Sequence, residues 1–135
     1  MWPADRYDQA DALRWMFFEQ YSHEPYVAVA RFLLHLADPP DPAVLAEKHE
    51  KGYAALDVME QHLASETFFA AARHTIADIA LYAYTHVAPE GRFDLSRYPN
   101  IGAWLDRVRE QPRPEYRATE DRPVGLFGTH GRTGI

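Results

Sequence analysis

The chain has 135 residues, a formal net charge of -6, 47% hydrophobic and 13% aromatic residues, and no cysteine. That length and apolar content suit one folded domain, and the absence of cysteine excludes disulfides, thiolate metal sites and cysteine nucleophiles. The acidic balance argues against nucleic acid, whose phosphates need clustered Lys and Arg, and no apolar run reaches the roughly 20 residues of a membrane span. The start, MWPADRYDQAD, is acidic and does not read as a signal peptide, so a cytoplasmic protein is expected.

Asp8 to His23 reads as the first helix, with Leu13, Met16, Phe17, Gln20 and Tyr21 at helical spacing. Pro25 should bend or restart it, because proline lacks an N–H and crowds the preceding turn. The pattern resumes through Val27, Val29, Phe32, Leu33 and Leu36, and DPPDP, Asp38 to Pro42, breaks it. A long helix is expected from Ala43 to Ala64. Its buried stripe runs Leu45, His49, Gly52, Leu56, Met59 and Leu63, with Glu47, Lys48, Glu50, Lys51 and Glu60 largely off it. Ile76 to Val87 is apolar nearly all round, which predicts a helix buried in the middle of the domain. Pro89 to Gly91 should end it. A last helix, Pro99 to Gln111, carries a stripe of Ile101, Trp104, Leu105 and Val108, with proline where its missing N–H costs nothing. The expected class is all-α. Residues 1–112 form the domain, and 113–135 form an irregular, mobile tail docked at most by Leu126 and Phe127.

Thr75-Ile76-Ala77-Asp78 matches a capping box ahead of an apolar run. The Thr75 hydroxyl would accept from the backbone N–H of Asp78, and the Asp78 carboxylate would reach back to the Thr75 N–H. Such a cap is worth roughly 0.5–2 kcal/mol. His74 and Ile79 occupy the positions of a hydrophobic staple, where histidine is a weak choice. A catalytic or metal pair of His74 and Asp78 is the alternative, and the box spacing favours the structural role. The seven histidines show no ligand spacing, so no metal is expected. No catalytic residue stands out either.

RWMFFEQYSHEPYVAVARF (Arg14 to Phe32), GYAALDVMEQHL (Gly52 to Leu63), TIADIALYAYTHVA and FDLSRYPNIGAWLDRVREQP occur in an order that resembles the C-terminal helical domain of bacterial glutathione S-transferases. The resemblance covers Pro3 to Pro112 and implies an all-α bundle. It also implies a first helix lining the cleft for a small hydrophobic electrophile. The residues falling there are Arg14, Phe17, Tyr21 and Glu24, on one face at steps of three and four, with Phe18 beside them. Aromatic stripes at this spacing also pack in cores, which leaves a structural role open for Phe17 and Phe18.

Two departures from the family pattern bear on structure. The family has glycine in the loop before the box, where this chain reads FFAAARHT, so Ala71 and Ala72 imply a rebuilt or strained turn. After Pro112 the tail does not match. A third departure bears on function. The family's thioredoxin-like domain, which holds the co-substrate glutathione and activates its thiol, is expected to be missing, because WPADR after Met1 resembles the linker into the helical domain. Three readings follow: the electrophile-site and dimer half of a transferase, inactive alone; a stand-alone helical interaction or assembly module; or a shortened transferase reading frame. A thioredoxin-like domain is one expected partner. A second copy is the other, because Trp15, Phe18, Tyr21, Tyr26 and Phe32 are too many aromatics for one core stripe.

Overall fold

A computed structural model describes residues 1–112 except Asp38. The tail 113–135, with Leu126 and Phe127, lies outside the described residues. Five α-helices carry the fold: α1 (Arg6–Phe18), α2 (Glu24–Leu36), α3 (Pro42–Leu63), α4 (Ile76–Thr85) and α5 (Pro99–Arg109). Among the described residues there is no strand, only an isolated bridge between Ala70 and Arg73.

Helix α1 starts two residues before the sequence expectation because Asp5 caps it, accepting from the N–H groups of Tyr7 (2.9 Å) and Asp8 (3.2 Å). Asp41 caps α3 in the same way, through Ala43 at 2.8 Å. Between α1 and α2 the chain does not break. Glu19–His23 forms a π-helical turn, closed by the Glu24 N–H on the Glu19 carbonyl. Proline explains the widening: an α turn would set the Pro25 ring against the carbonyl four residues earlier.

Helices α1 and α2 pack on α4 and α3, and α5 closes the bundle against α3 and α4. The core centres on Trp15, Leu56, Met59, Phe69, Leu81, Ile101 and Trp104. Trp15, expected in an exposed patch, is buried and packs edge-on against Phe69 (4.7 Å) and Phe18 (5.3 Å). The α3 stripe is buried at Leu45, Gly52, Leu56, Met59 and Leu63. At Gly52 a Cβ would sit 2.5 Å from the Phe93 ring, so only glycine lets the ring come this close. His49 is half-buried, and its Nε2–H donates to the Gly91 carbonyl at 2.7 Å.

One expectation needs correction. Helix α4 is not buried all round: Ala77, Asp78, Leu81 and Thr85 face inward, while Ile79 and Tyr84 are exposed. Its inner side packs on α1, α2, α5 and the π-helical turn, and Ile79, 43% exposed, makes a poor staple. Glu60, off the apolar stripe as expected, is half-buried. Its two carboxylate oxygens accept from Asn100 N and Ile101 N, both at 2.9 Å, and so cap α5. One and two turns earlier on α3, Asp57 accepts from the Tyr98 hydroxyl (2.7 Å), and the Tyr53 hydroxyl accepts from Asp94 N (2.9 Å).

The turn before α4 is strained as the alanines imply. Ala71 has φ 57° and Ala72 φ 50°, both left-handed. Each costs an L-residue about 1–2 kcal/mol, and glycine almost nothing. Part of that gain is returned through glycine's freer unfolded chain. Ala71→Gly and Ala72→Gly should therefore each stabilise by about 0.5–1 kcal/mol, read as a raised urea midpoint at unchanged slope. A lowered midpoint in both would contradict the strain.

Candidate functional site

The proposed cleft residues lie on α1, the π turn that follows it and the first residue of α2. Phe17 is 70% and Tyr21 83% exposed, and with Leu13 they make an apolar stripe one turn apart along the outside of the bundle. Arg14 stands beside the stripe. Its Nε and Nη2 donate to Asp11 Oδ1 at 2.9 and 2.7 Å, and its guanidinium covers the Trp15 ring at 4.7 Å. The Arg14 side chain is itself 62% exposed.

Phe18 parts from this group. It turns into a groove of about 280 Å3 between the π turn and α3, lined also by Ser22, Tyr26, Lys51, Ala54, Ala55 and Val58. Glu24 is half-buried beyond the π turn, close enough to Glu19 for the two charges to repel. The structure thus brings Arg14, Phe17 and Tyr21 together, sends Phe18 to a neighbouring groove, and sets Glu24 beside a buried carboxyl. Phe18 faces another side because adjacent residues of an α-helix lie about 100° apart, whereas Glu24 follows the π turn, which rotates what comes after it.

Behind the stripe sit two buried titratable groups. Glu19 is 4% exposed, and burial raises its pKa above the usual carboxylate value, with only Gln20 hydrogen-bonding to it at 2.8 Å. His23 is fully buried, and burial lowers its pKa to about 4. The Thr85 hydroxyl gives its one proton to the Leu81 carbonyl at 2.6 Å, so it must accept from His23 Nε2–H at 3.0 Å. Sequence reading passed over both residues. Their only signal was a charged and a titratable side chain on the inner side of an apolar helix.

Thr75 and Asp78 stand apart from the stripe. Asp78 Oδ2 accepts from the Thr75 N–H (2.8 Å) and hydroxyl (3.2 Å), and Thr75 Oγ1 accepts from Ala77 N (3.3 Å). Asp78 Oδ1 takes two further donors, Phe69 N at 3.1 Å and the Trp104 indole at 2.9 Å. All four carboxylate contacts are internal to the fold. His74 leans on Phe68 rather than on Asp78.

Chemically, the outer face offers an apolar wall, one phenol and one cation, which suit holding a small apolar molecule with a polar end. Among the described residues no cluster of three His, Asp or Glu could hold a metal. No helix among them is long and apolar enough to cross a membrane.

Comparison with known proteins bears on this geometry. Residues 15–112 match the family model described as glutathione S-transferase, C-terminal domain. A possible glutathione S-transferase from Rhodopseudomonas palustris superposes with a TM-score of 0.78 at 50% identity, covering 82% of this chain and 51% of that one. A glutathione S-transferase from Pseudomonas fluorescens gives 0.77 at 51% identity, covering 82% and 56%. The curated disulfide-bond oxidoreductase YfcG of Escherichia coli is 23% identical over 105 residues, 78% of this chain and 49% of its own. The chain therefore spans about half the length of the proteins it matches.

Proposed function

The chain belongs to the glutathione S-transferase family, whose C-terminal helical domain it matches over most of its length, and from that premise we propose that it forms the electrophile-binding and dimer-forming half of a glutathione-conjugating unit. The observation that carries the reading is the exposed stripe of Leu13, Phe17 and Tyr21 with Arg14 beside it. Exposure of this degree on large side chains at successive turns fits a face covered in the working assembly. In the complete family pattern, glutathione sits on a thioredoxin-like domain opposite this helix, and its thiolate attacks the electrophile held between them. Phe17 and Tyr21 then supply the apolar wall and Arg14 orients a polar substituent, while Phe18 and Glu24 stand outside this face. Residues 1–112 act as one domain.

None of these side chains lowers a thiol pKa, and free thiols near 8.5 are mostly protonated at neutral pH. The 135-residue chain by itself is expected to conjugate glutathione to an aromatic electrophile no faster than the uncatalysed reaction. Turnover by the purified chain that survives removal of contaminating transferases would overturn this. Joined to a thioredoxin-like domain from one of the half-identical transferases, Phe17→Ala and Tyr21→Ala should raise KM for the electrophile about five- to thirty-fold, the equivalent of about 1–2 kcal/mol of lost apolar contact. KM for glutathione should hold. Equal changes in both would remove the stripe from the electrophile site.

The same reading gives the groove beside Phe18 a role as part of a two-fold contact, for which one self-complementary patch suffices. Val58, 45% exposed on its rim, is a suitable probe because it is outside the core. Light scattering at micromolar concentration should report a dimer, and Val58→Glu should weaken it at least about ten-fold by burying an unpaired charge. A monomeric wild type would reject the contact. It would leave the stripe to a partner domain.

A further inference from the structure

Three buried polar atoms lack a hydrogen-bond partner among the described residues along one side of the first helical segment: Trp15 Nε1, Glu19 Oε1 and His23 Nδ1. They follow one another at four-residue steps, so they line successive turns of the same face. Their residues are 3%, 4% and 0% exposed, which excludes a partner approaching from bulk solvent. Orphaned atoms inside a folded chain are rare, and each costs stability unless something satisfies it. Each of the three therefore calls for a partner that the described residues do not supply.

The hydrogen-bond directions already established say what the occupant must offer. Thr85 Oγ1 spends its proton on the Leu81 carbonyl, so His23 donates through Nε2 and keeps a bare lone pair at Nδ1. His23 Nδ1 therefore needs a donor. The Trp15 indole N–H is a donor only and needs an acceptor. Glu19 Oε2 is taken by Gln20, leaving Oε1 open. A molecule that both donates and accepts, small enough for a closed interior, meets all three demands. The helix is also locally wide here, since Glu19–His23 is the π turn.

We propose that ordered internal water occupies the π turn, donating to Glu19 Oε1 and His23 Nδ1 and accepting from the Trp15 indole. It extends the series His23, Thr85, Leu81 carbonyl into one continuous hydrogen-bond chain from α1 to α4. Buried waters of this kind make about three hydrogen bonds each and stay with the fold. This site is independent of the outer stripe and of any conjugating activity.

Rotating-frame cross-relaxation at the water frequency on the whole 135-residue chain tests it. The Trp15 indole proton should show a water cross-peak with the dipolar sign rather than the exchange sign. The His23 Nδ1 nitrogen shift should lie on the hydrogen-bonded side of a bare lone pair. Trp15→Phe, which keeps an aromatic ring and drops the donor, should leave the chain folded with the His23 shift still moved. Glu19→Leu should reduce that displacement. No dipolar contact between water and the indole would overturn the proposal. So would a crystal structure in which the indole bonds directly to the Glu19 carboxyl, or one in which a side chain from 113–135 fills the turn.

Discussion

Asp78→Ala is expected to cost about 3–5 kcal/mol of folding stability, well beyond the roughly 0.5–2 kcal/mol of an ordinary helix cap. The carboxylate is fully buried and accepts four hydrogen bonds, from Thr75 N, Thr75 Oγ1, Phe69 N and Trp104 Nε1. Bonds to a charged acceptor are about twice as strong as neutral ones. Alanine would leave these donors in an interior without water, and each orphaned donor costs about 1–3 kcal/mol, less than additively. Three pieces of chain meet at this one side chain: the loop after α3, the start of α4 and the middle of α5. Urea unfolding measures the loss. Asp78→Asn keeps the shape and one acceptor but turns an amide toward donors, so it should fall between wild type and alanine. Trp104→Phe removes a single donor and should cost less than Asp78→Ala. A loss below about 2 kcal/mol for Asp78→Ala would mean the donors find other acceptors.

Acidification should destabilise the fold by about 3 kcal/mol between pH 7 and pH 4 through His23 alone. Burial holds the folded imidazole near pKa 4, against an unfolded value near 6.5. Between those values the unfolded chain binds a proton that the folded chain refuses. The stabilising contribution is complete above pH 6.5 and is lost as pH falls through the window to 4. Glu19 acts in the opposite sense, because burial raises its pKa and acid relieves the buried charge. The discriminating measurement is therefore the pH slope of stability in wild type and in His23→Gln. The variant should lose most of the acid sensitivity between pH 6.5 and 4 whatever its absolute stability. Parallel slopes would show that His23 protonates freely in the folded state.

Much of the fold could be read from residue order. The two proline breaks, the α5 stripe of Ile101, Trp104 and Leu105, and the box at Thr75 depend on near neighbours, and local rules govern them. The strain at Ala71 and Ala72 was legible only through the family resemblance, which puts glycine in this loop; two alanines by themselves imply no left-handed turn. The π turn was not, since a bond five residues back leaves no mark in composition. Glu60 could be placed off the apolar stripe but not as the cap of α5, because the amides it caps lie 40 and 41 residues later. Asp78 showed one role of several for the same reason: its partners Phe69 and Trp104 are distant in sequence. At the candidate face, Phe17 and Tyr21 belong with Arg14 by simple helical geometry. Phe18 parts from them by the ordinary step of about 100° between neighbours, and Glu24 because it follows the π turn, which no periodicity count contains.

Helix α3 meets the segment from Asp94 to Ile101 through three polar side chains, Tyr53, Asp57 and Glu60, spaced by four and three. An apolar stripe alone tolerates sliding, because a shift of one turn puts one leucine where another stood. Three polar ends that must each find a particular partner do not. They act as a vernier beside the greasy scale of Leu56, Met59 and Leu63, and both scales read true at one position only. The amides of Asp94, Asn100 and Ile101 should consequently open to hydrogen exchange in a single step, as a latch that releases whole or stays shut.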